Sequence, residues 1–89
     1  MRFEFDHHKS ERNREKHGID FPGAQALWED PDRIEIPART EDEPRLMVIG
    51  RIGVLVWSAV IMYRGDGVRI ISVRPASRKE VAIYESEGV

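Results

Sequence analysis

The ten-residue run from Val54 to Tyr63, VLVWSAVIMY, is apolar on both of its alternating faces and is interrupted only by Ser58. A strand with one solvated face alternates apolar and polar residues, whereas a run like this must be covered on both sides, as the central strand of a sheet is. The run is about half the roughly 20 residues that a membrane-spanning helix requires. Turn signals bound it, Arg51-Ile52-Gly53 before and Arg64-Gly65-Asp66-Gly67 after. Asp66-Gly67 is a hairpin dipeptide, so Arg45–Gly50, Val54–Tyr63 and Val68–Arg74 are predicted to form an antiparallel meander.

The remaining elements are arranged around that sheet. Met1, Phe3 and Phe5 alternate with Arg2 and Glu4 as a short edge strand. Asp6 can cap a helix that runs to His17, with Lys16 and His17 beside the negative end of its dipole and Gly18 as a left-handed stop. That helix, HHKSERNREKH, has no large apolar residue and so brings almost no core face of its own. It is expected on the surface, as a solvated lid or as an element presented to something polar. Asp20 is predicted to cap a second helix from Phe21 to about Trp28, with Phe21, Ala24, Leu27 and Trp28 on one face, ended by Asp30-Pro31. Ile34 and Ile36 alternate with Arg33 and Glu35 in a short strand closed by Pro37, and an acidic loop runs from Ala38 to Pro44. Ser77 and Glu80 make a capping box that opens a last helix with Val81 and Tyr84 on its packing side. The expected architecture is α+β: an antiparallel sheet of three to four main strands, two N-terminal helices and one C-terminal helix.

With 89 residues, 40% of them apolar, the chain has room for one small domain, taken as residues 1–89. The absence of cysteine removes disulfides, thiolate metal sites and cysteine nucleophiles from consideration and suits a reducing cytosol. MRFEFDHHKS lacks the apolar stretch of a signal peptide, so a soluble, cytoplasmic protein is expected. His7 and His8 are adjacent, point about 100° apart on a helix and have no second ligand pair at helical spacing, so no metal site is expected. No other cofactor is indicated.

The formal charge of −2 hides an uneven distribution. Residues 45–79 hold seven bases (Arg45, Arg51, Arg64, Arg69, Arg74, Arg78, Lys79) against Asp66 alone, whereas residues 21–44 hold seven acids and two bases. Any one of these arginines reads as a turn or strand-edge residue kept for solubility. As a group they point to phosphate and nucleic acid, because the planar guanidinium matches phosphate with two parallel donors and stacks on bases. P-loop, dinucleotide-binding, zinc-protease and nucleophile-elbow motifs are all absent from the sequence.

RNA can be cleaved without a metal ion when a base takes the ribose 2′-hydroxyl proton, cations stabilise the phosphorane and an acid protonates the leaving 5′-oxygen. Arg74 and Arg78, at the end of the last strand and the start of the last helix, are candidates to hold the scissile phosphate beside orphan backbone N–H groups. Lys16, His17 or Tyr84 could serve in proton transfer, although Tyr84 also reads as a packed aromatic with a wet hydroxyl.

The run Lys16-His17-Gly18-Ile19-Asp20-Phe21 is preceded by Phe3-Glu4-Phe5-Asp6, Lys9 and Asn13. After it come Asp30-Pro31, Arg45, Ile49-Gly50 and the run Ile70 to Glu80 (IISVRPASRKE). In this order and separation the residues resemble the BrnT family of type II toxins over nearly the whole chain. The resemblance implies a RelE-like ribonuclease fold, an RNA-cleaving activity that inhibits translation and arrests growth, and neutralisation by a BrnA-type antitoxin with a ribbon-helix-helix DNA-binding half. Toxin and antitoxin would form a heterotetramer that binds promoter DNA through the antitoxin. By position, the resemblance assigns catalysis to Arg74, Arg78, His17 and Lys16. Lys9, Arg45, Arg51, Arg64, Lys79 and Tyr84 are expected as RNA contacts. Phe5 stands where many members have Trp, and Pro75 interrupts a stretch that is more often basic. The alternative is a module that binds RNA or antitoxin without cleaving, and a protein target such as gyrase is a third reading.

Overall fold

The computed structural model describes residues 1–38 and 44–87. Along the chain run β1 (Arg2–Glu4), α1 (His7–His17), α2 (Phe21–Ala24), a 3-10 segment (Gln25–Glu29), β2 (Ile34–Pro37), β3 (Leu46–Ile52), β4 (Leu55–Arg64), β5 (Gly67–Pro75) and α3 (Arg78–Glu87). Most of the expected acidic loop, residues 39–43, lies outside the described residues.

The five strands lie in the order β1-β5-β4-β3-β2, so β4 is the central strand as expected, but the apolar run is covered only through its middle: Val54 falls in the preceding turn, and Val54, Leu55 and Tyr63 are exposed because the strand ends project beyond the packed helices. The pairs β2/β3, β3/β4 and β4/β5 are antiparallel, and β1 joins β5 in parallel. The main strands are antiparallel as expected, and the edge strand β1 adds a parallel pairing: the chain leaves the sheet through α1 and α2, adds β2, β3 and β4, and only then returns as β5, a crossover that a hairpin cannot make. The second turn is also displaced by one residue. Gly65-Asp66 forms it, with Gly65 at φ +58°, because the first position of such a turn needs the left-handed backbone that glycine adopts without strain.

Phe21, Ala24, Leu27, Val48, Trp57, Ala59, Ile61, Val68, Ile70 and Val73 make one buried cluster on one face of the sheet, with Phe3, Phe5 and Trp28 at its margin. Each large side chain in it contributes about 1.5–3 kcal/mol of burial. Asp20 caps α2 through Gly23 N at 2.8 Å, and the helix tightens into the 3-10 segment after Ala24 rather than running on as α-helix to Trp28. Leu27 is thereby fully buried, while the Trp28 ring meets Phe3 edge-on at 4.9 Å.

Helix α1 shows how a helix without apolar side chains can be docked. Asp6 and Gly18 cap its two ends as the sequence suggests. Its one buried residue is Ser10, whose Oγ accepts from Phe21 N at 3.0 Å. Asn13 ties it down on two further sides, donating to the Ile19 carbonyl at 2.9 Å and accepting from Val73 N at 3.2 Å. Pairing with β1 covers β5 only over residues 67–69, so Asn13 satisfies a strand-edge N–H that β1 is too short to reach.

On the opposite face, Ile49, Ser58 and Arg74 stand side by side across β3, β4 and β5. Helix α3 packs there. Its capping box is formed as expected, with Ser77 N donating to Glu80 Oε1 at 2.9 Å and Glu80 N to Ser77 Oγ at 3.2 Å. Tyr84 is buried, and its hydroxyl donates to Asp30 Oδ2 at 2.6 Å.

Candidate functional site

Where β1 ends, the side of α1 and the C-terminal half of β5 enclose a cleft of about 340 Å³. Among the described residues its ionisable lining is wholly basic: Lys9, Arg12, Lys16 and His17 from α1, and Arg74 from β5. Lys9, Arg12 and Lys16 succeed one another at spacings of three and four, which puts them in a row on one helix face. Over seven residues that row is roughly 10 Å long. Among the described residues none of the three makes a salt bridge, although Lys9 is close enough to the Asp6 carboxylate to help lower its pKa. Phe21 and Asn13 form the inner wall, and Ile71, Ser72 and Val73 the strand side. The pairing of β4 with β5 shifts register between Val60 and Ile61, which leaves Ile71 as an extra residue in β5. A bulge of this kind re-aims the residues beyond it and often stands beside a functional site.

Arg74 is held rather than free. Its Nη1 and Nη2 donate to Glu80 Oε1 and Oε2, both at 2.7 Å, and Nη1 also lies 3.3 Å from the Pro75 carbonyl. Glu80 Oε1 additionally accepts from Ser58 Oγ at 2.9 Å and caps Ser77 N. The Arg74 guanidinium, helped by the Ser77 and Ser58 donors and opposed by burial, brings the Glu80 carboxyl down to about 2. Arg74 is pushed above its ordinary range by the same hydrogen bond.

Of the residues singled out in the sequence, the cleft brings together Lys9, Lys16, His17 and Arg74. Arg78 and Lys79 are exposed on the first turn of α3, outside the cleft lining. Arg51 lies 5.7 Å over the Tyr84 ring and 4.0 Å from Glu85, and its backbone N–H donates to Asp30 at 2.8 Å. The Tyr84 hydroxyl is committed to Asp30, and that hydrogen bond, then burial, raises its pKa. Arg64, which pairs with Glu4 at 3.3 Å, sits with Arg45 toward the far end of the sheet from Arg74. The basic stretch of residues 45–79 is therefore divided between the two ends of the strands. Arg12 joins Lys9, Lys16, His17 and Arg74 in the cleft, a residue that the sequence analysis does not name as a candidate. Its helical spacing from Lys9 and Lys16 was the available signal. The clasp of Glu80 on Arg74 left no such signal, because it joins a strand to a helix across a chain reversal.

Residues 5–80, which include every residue lining the cleft, match the family described as the ribonuclease toxin, BrnT, of type II toxin–antitoxin systems. The chain belongs to the BrnT family. It is accordingly a ribonuclease toxin of a type II toxin–antitoxin system, for which an RNA substrate and a cognate antitoxin are implied. No match is found among curated proteins. Among the described residues no helix is long and apolar enough to cross a membrane.

Proposed function

We propose that the basic cleft between α1 and β5 is where this toxin binds and cleaves RNA, that cleavage uses no metal ion, and that the result is inhibition of translation and growth arrest. The observation that carries this reading is the convergence of Lys9, Arg12, Lys16, His17 and Arg74 on one cleft with no carboxylate among the described residues of its lining. Such a wall has the wrong sign to hold a divalent cation and the right sign to hold a polyanion. The α1 row tracks the backbone phosphates, and Arg74 receives the scissile one.

The His17 imidazole accepts the 2′-hydroxyl proton. The 2′-oxygen attacks phosphorus, the fixed cations stabilise the charge that builds on the phosphorane, and Lys16 protonates the departing 5′-oxygen. The products are a 2′,3′-cyclic phosphate and a 5′-hydroxyl. Arg78 and Lys79, exposed at the start of α3, are positioned to meet RNA beyond the cleft. A BrnA-type antitoxin that neutralises the toxin does so by covering this basic surface, and high salt weakens that inhibition.

The test is expression from a tightly controlled promoter, monitoring growth and total RNA for the wild type and the Arg74→Ala/Arg78→Ala variant. Arrest with RNA loss in the wild type alone is expected. A soluble wild type that neither arrests growth nor degrades RNA would shift the reading to a module that binds without cleaving.

A further inference from the structure

A helix cap requires one acceptor from Glu80, yet its carboxylate accepts four hydrogen bonds from three elements: Ser58 on β4, Arg74 twice on β5, and Ser77 at the start of α3. We propose that Glu80 is a positioning residue for RNA cleavage: by gripping Arg74 along its Nη1/Nη2 edge it leaves the Nε/Nη2 edge as a fixed two-donor fork for the scissile phosphate. This rests on the reading of the cleft as the cleavage site.

A guanidinium has five N–H groups. Glu80 takes one from Nη1 and one from Nη2, and the Pro75 carbonyl is reached by Nη1. The Nε proton and the second Nη2 proton are left, both on the same edge of the plane, and no acceptor among the described residues pairs with Nε. Two parallel donors on one edge are what bidentate phosphate recognition uses. The Arg74 side chain keeps 43% of its exposure, whereas Glu80 keeps 13%, so the clasp is buried on the carboxylate side and open on the arginine side. Because the pair is close to neutral as a whole, Arg74 contributes geometry more than attraction, and affinity for RNA comes from Lys9, Arg12 and Lys16.

Glu80→Gln separates the two roles of this side chain. The amide oxygen still caps Ser77, since Gln serves at this position of a capping box, but the amide nitrogen cannot accept from Arg74. Steady-state cleavage of a short RNA by Glu80→Gln is expected to show kcat lowered roughly 10- to 100-fold with KM unchanged or lower, because Arg74 is loosened while its charge is no longer neutralised. In an Arg74→Ala background the same substitution should bring no further loss. Arg74→Lys keeps a charge for Glu80 and the helix cap but has no fork, and it is expected to lose kcat to a similar degree with its thermal transition near that of the wild type. It therefore serves if Glu80→Gln does not fold.

Wild-type turnover in folded Glu80→Gln or in Arg74→Lys, with Arg74→Ala inactive, would overturn the proposal and leave Glu80 a helix cap. A further loss of turnover on adding Glu80→Gln to Arg74→Ala would do the same. Full turnover in Arg74→Ala would instead remove the cleavage-site reading itself, and this proposal with it.

Discussion

The Arg74 guanidinium and the Glu80 carboxylate meet as a two-point fork, 2.7 Å at each contact, between the last residues of β5 and the first turn of α3. Glu80 has its pKa lowered from 4.5 to about 2, foremost by Arg74. The unfolded chain therefore binds more protons than the folded one between those values, so the stabilisation is complete above pH 4.5 and is lost as pH falls toward 2. With solvent screening at the half-exposed Arg74 allowed for, the loss amounts to about 1–2 kcal/mol. Urea unfolding of the wild type from pH 6 down to pH 2.5 should show this decline, and Glu80→Gln should show a smaller one. Equal slopes in the two proteins would refute the assignment.

Ser10 is the buried anchor of α1, and Ser10→Ala leaves Phe21 N without its acceptor. An unsatisfied buried donor costs about 1–3 kcal/mol. In a domain of this size that lowers Tm by roughly 4–8 °C per kcal/mol. Thermal unfolding monitored by circular dichroism checks the value, and an unchanged Tm would mean that α1 is held by something other than its polar contacts.

If the row Lys9, Arg12 and Lys16 tracks a single-stranded backbone, removal of each should flatten the dependence of log affinity on log salt by about 0.7. The measurement is titration of a labelled RNA by Lys9→Ala, Arg12→Ala and Lys16→Ala at several salt concentrations. Arg64→Ala, at the far end of the sheet and paired with Glu4, serves as the comparison and should leave the slope within error. Equal effects at all four positions would point to diffuse attraction rather than a track.

Much of the fold was legible because it depends on local chemistry. The caps at Asp6, Gly18 and Asp20 and the Ser77/Glu80 box stand where the sequence puts them. The central place of β4 comes from its apolar run, which is buried through its middle at Trp57, Ser58, Ala59 and Ile61 but exposed at Val54, Leu55 and Tyr63. What local chemistry does not encode is less visible. The parallel pairing of Phe3 with Val68 is a contact across most of the chain, and three alternating residues do not name their partner. The bulge at Ile71 reflects how β5 must bend against β4 and has no signature in Ile70-Ile71-Ser72. The basic face of α1 lies in the helical spacing of Lys9, Arg12 and Lys16, but its convergence with Arg74 depends on Asn13 meeting the edge of β5. Charge counted along residues 45–79 overstated their unity, because antiparallel strands send neighbours in sequence to opposite ends of the sheet.

Tyr84 and Asp30 close the contact between α3 and the end of the 3-10 segment. Burial raises the Asp30 pKa, but the bonds from Tyr84, Arg51 N and Asp32 N outweigh it and leave it lowered. Tyr84→Phe removes a hydrogen bond to a charged acceptor and is expected to destabilise the protein by about 1.5–3 kcal/mol, measurable by urea unfolding at pH 7. A change well under that range would indicate that water replaces the phenol without loss.

Metal-free RNA cleavage in the cleft between α1 and β5 is decided by incubating a defined RNA with purified protein in the presence of chelator, comparing wild type, Lys16→Ala/His17→Ala and Arg74→Ala. Fragments ending in 2′,3′-cyclic phosphate from the wild type, and their near absence from both variants with folding intact, are the expected result. Cleavage that stops on addition of chelator, or that survives undiminished in both variants, would contradict it.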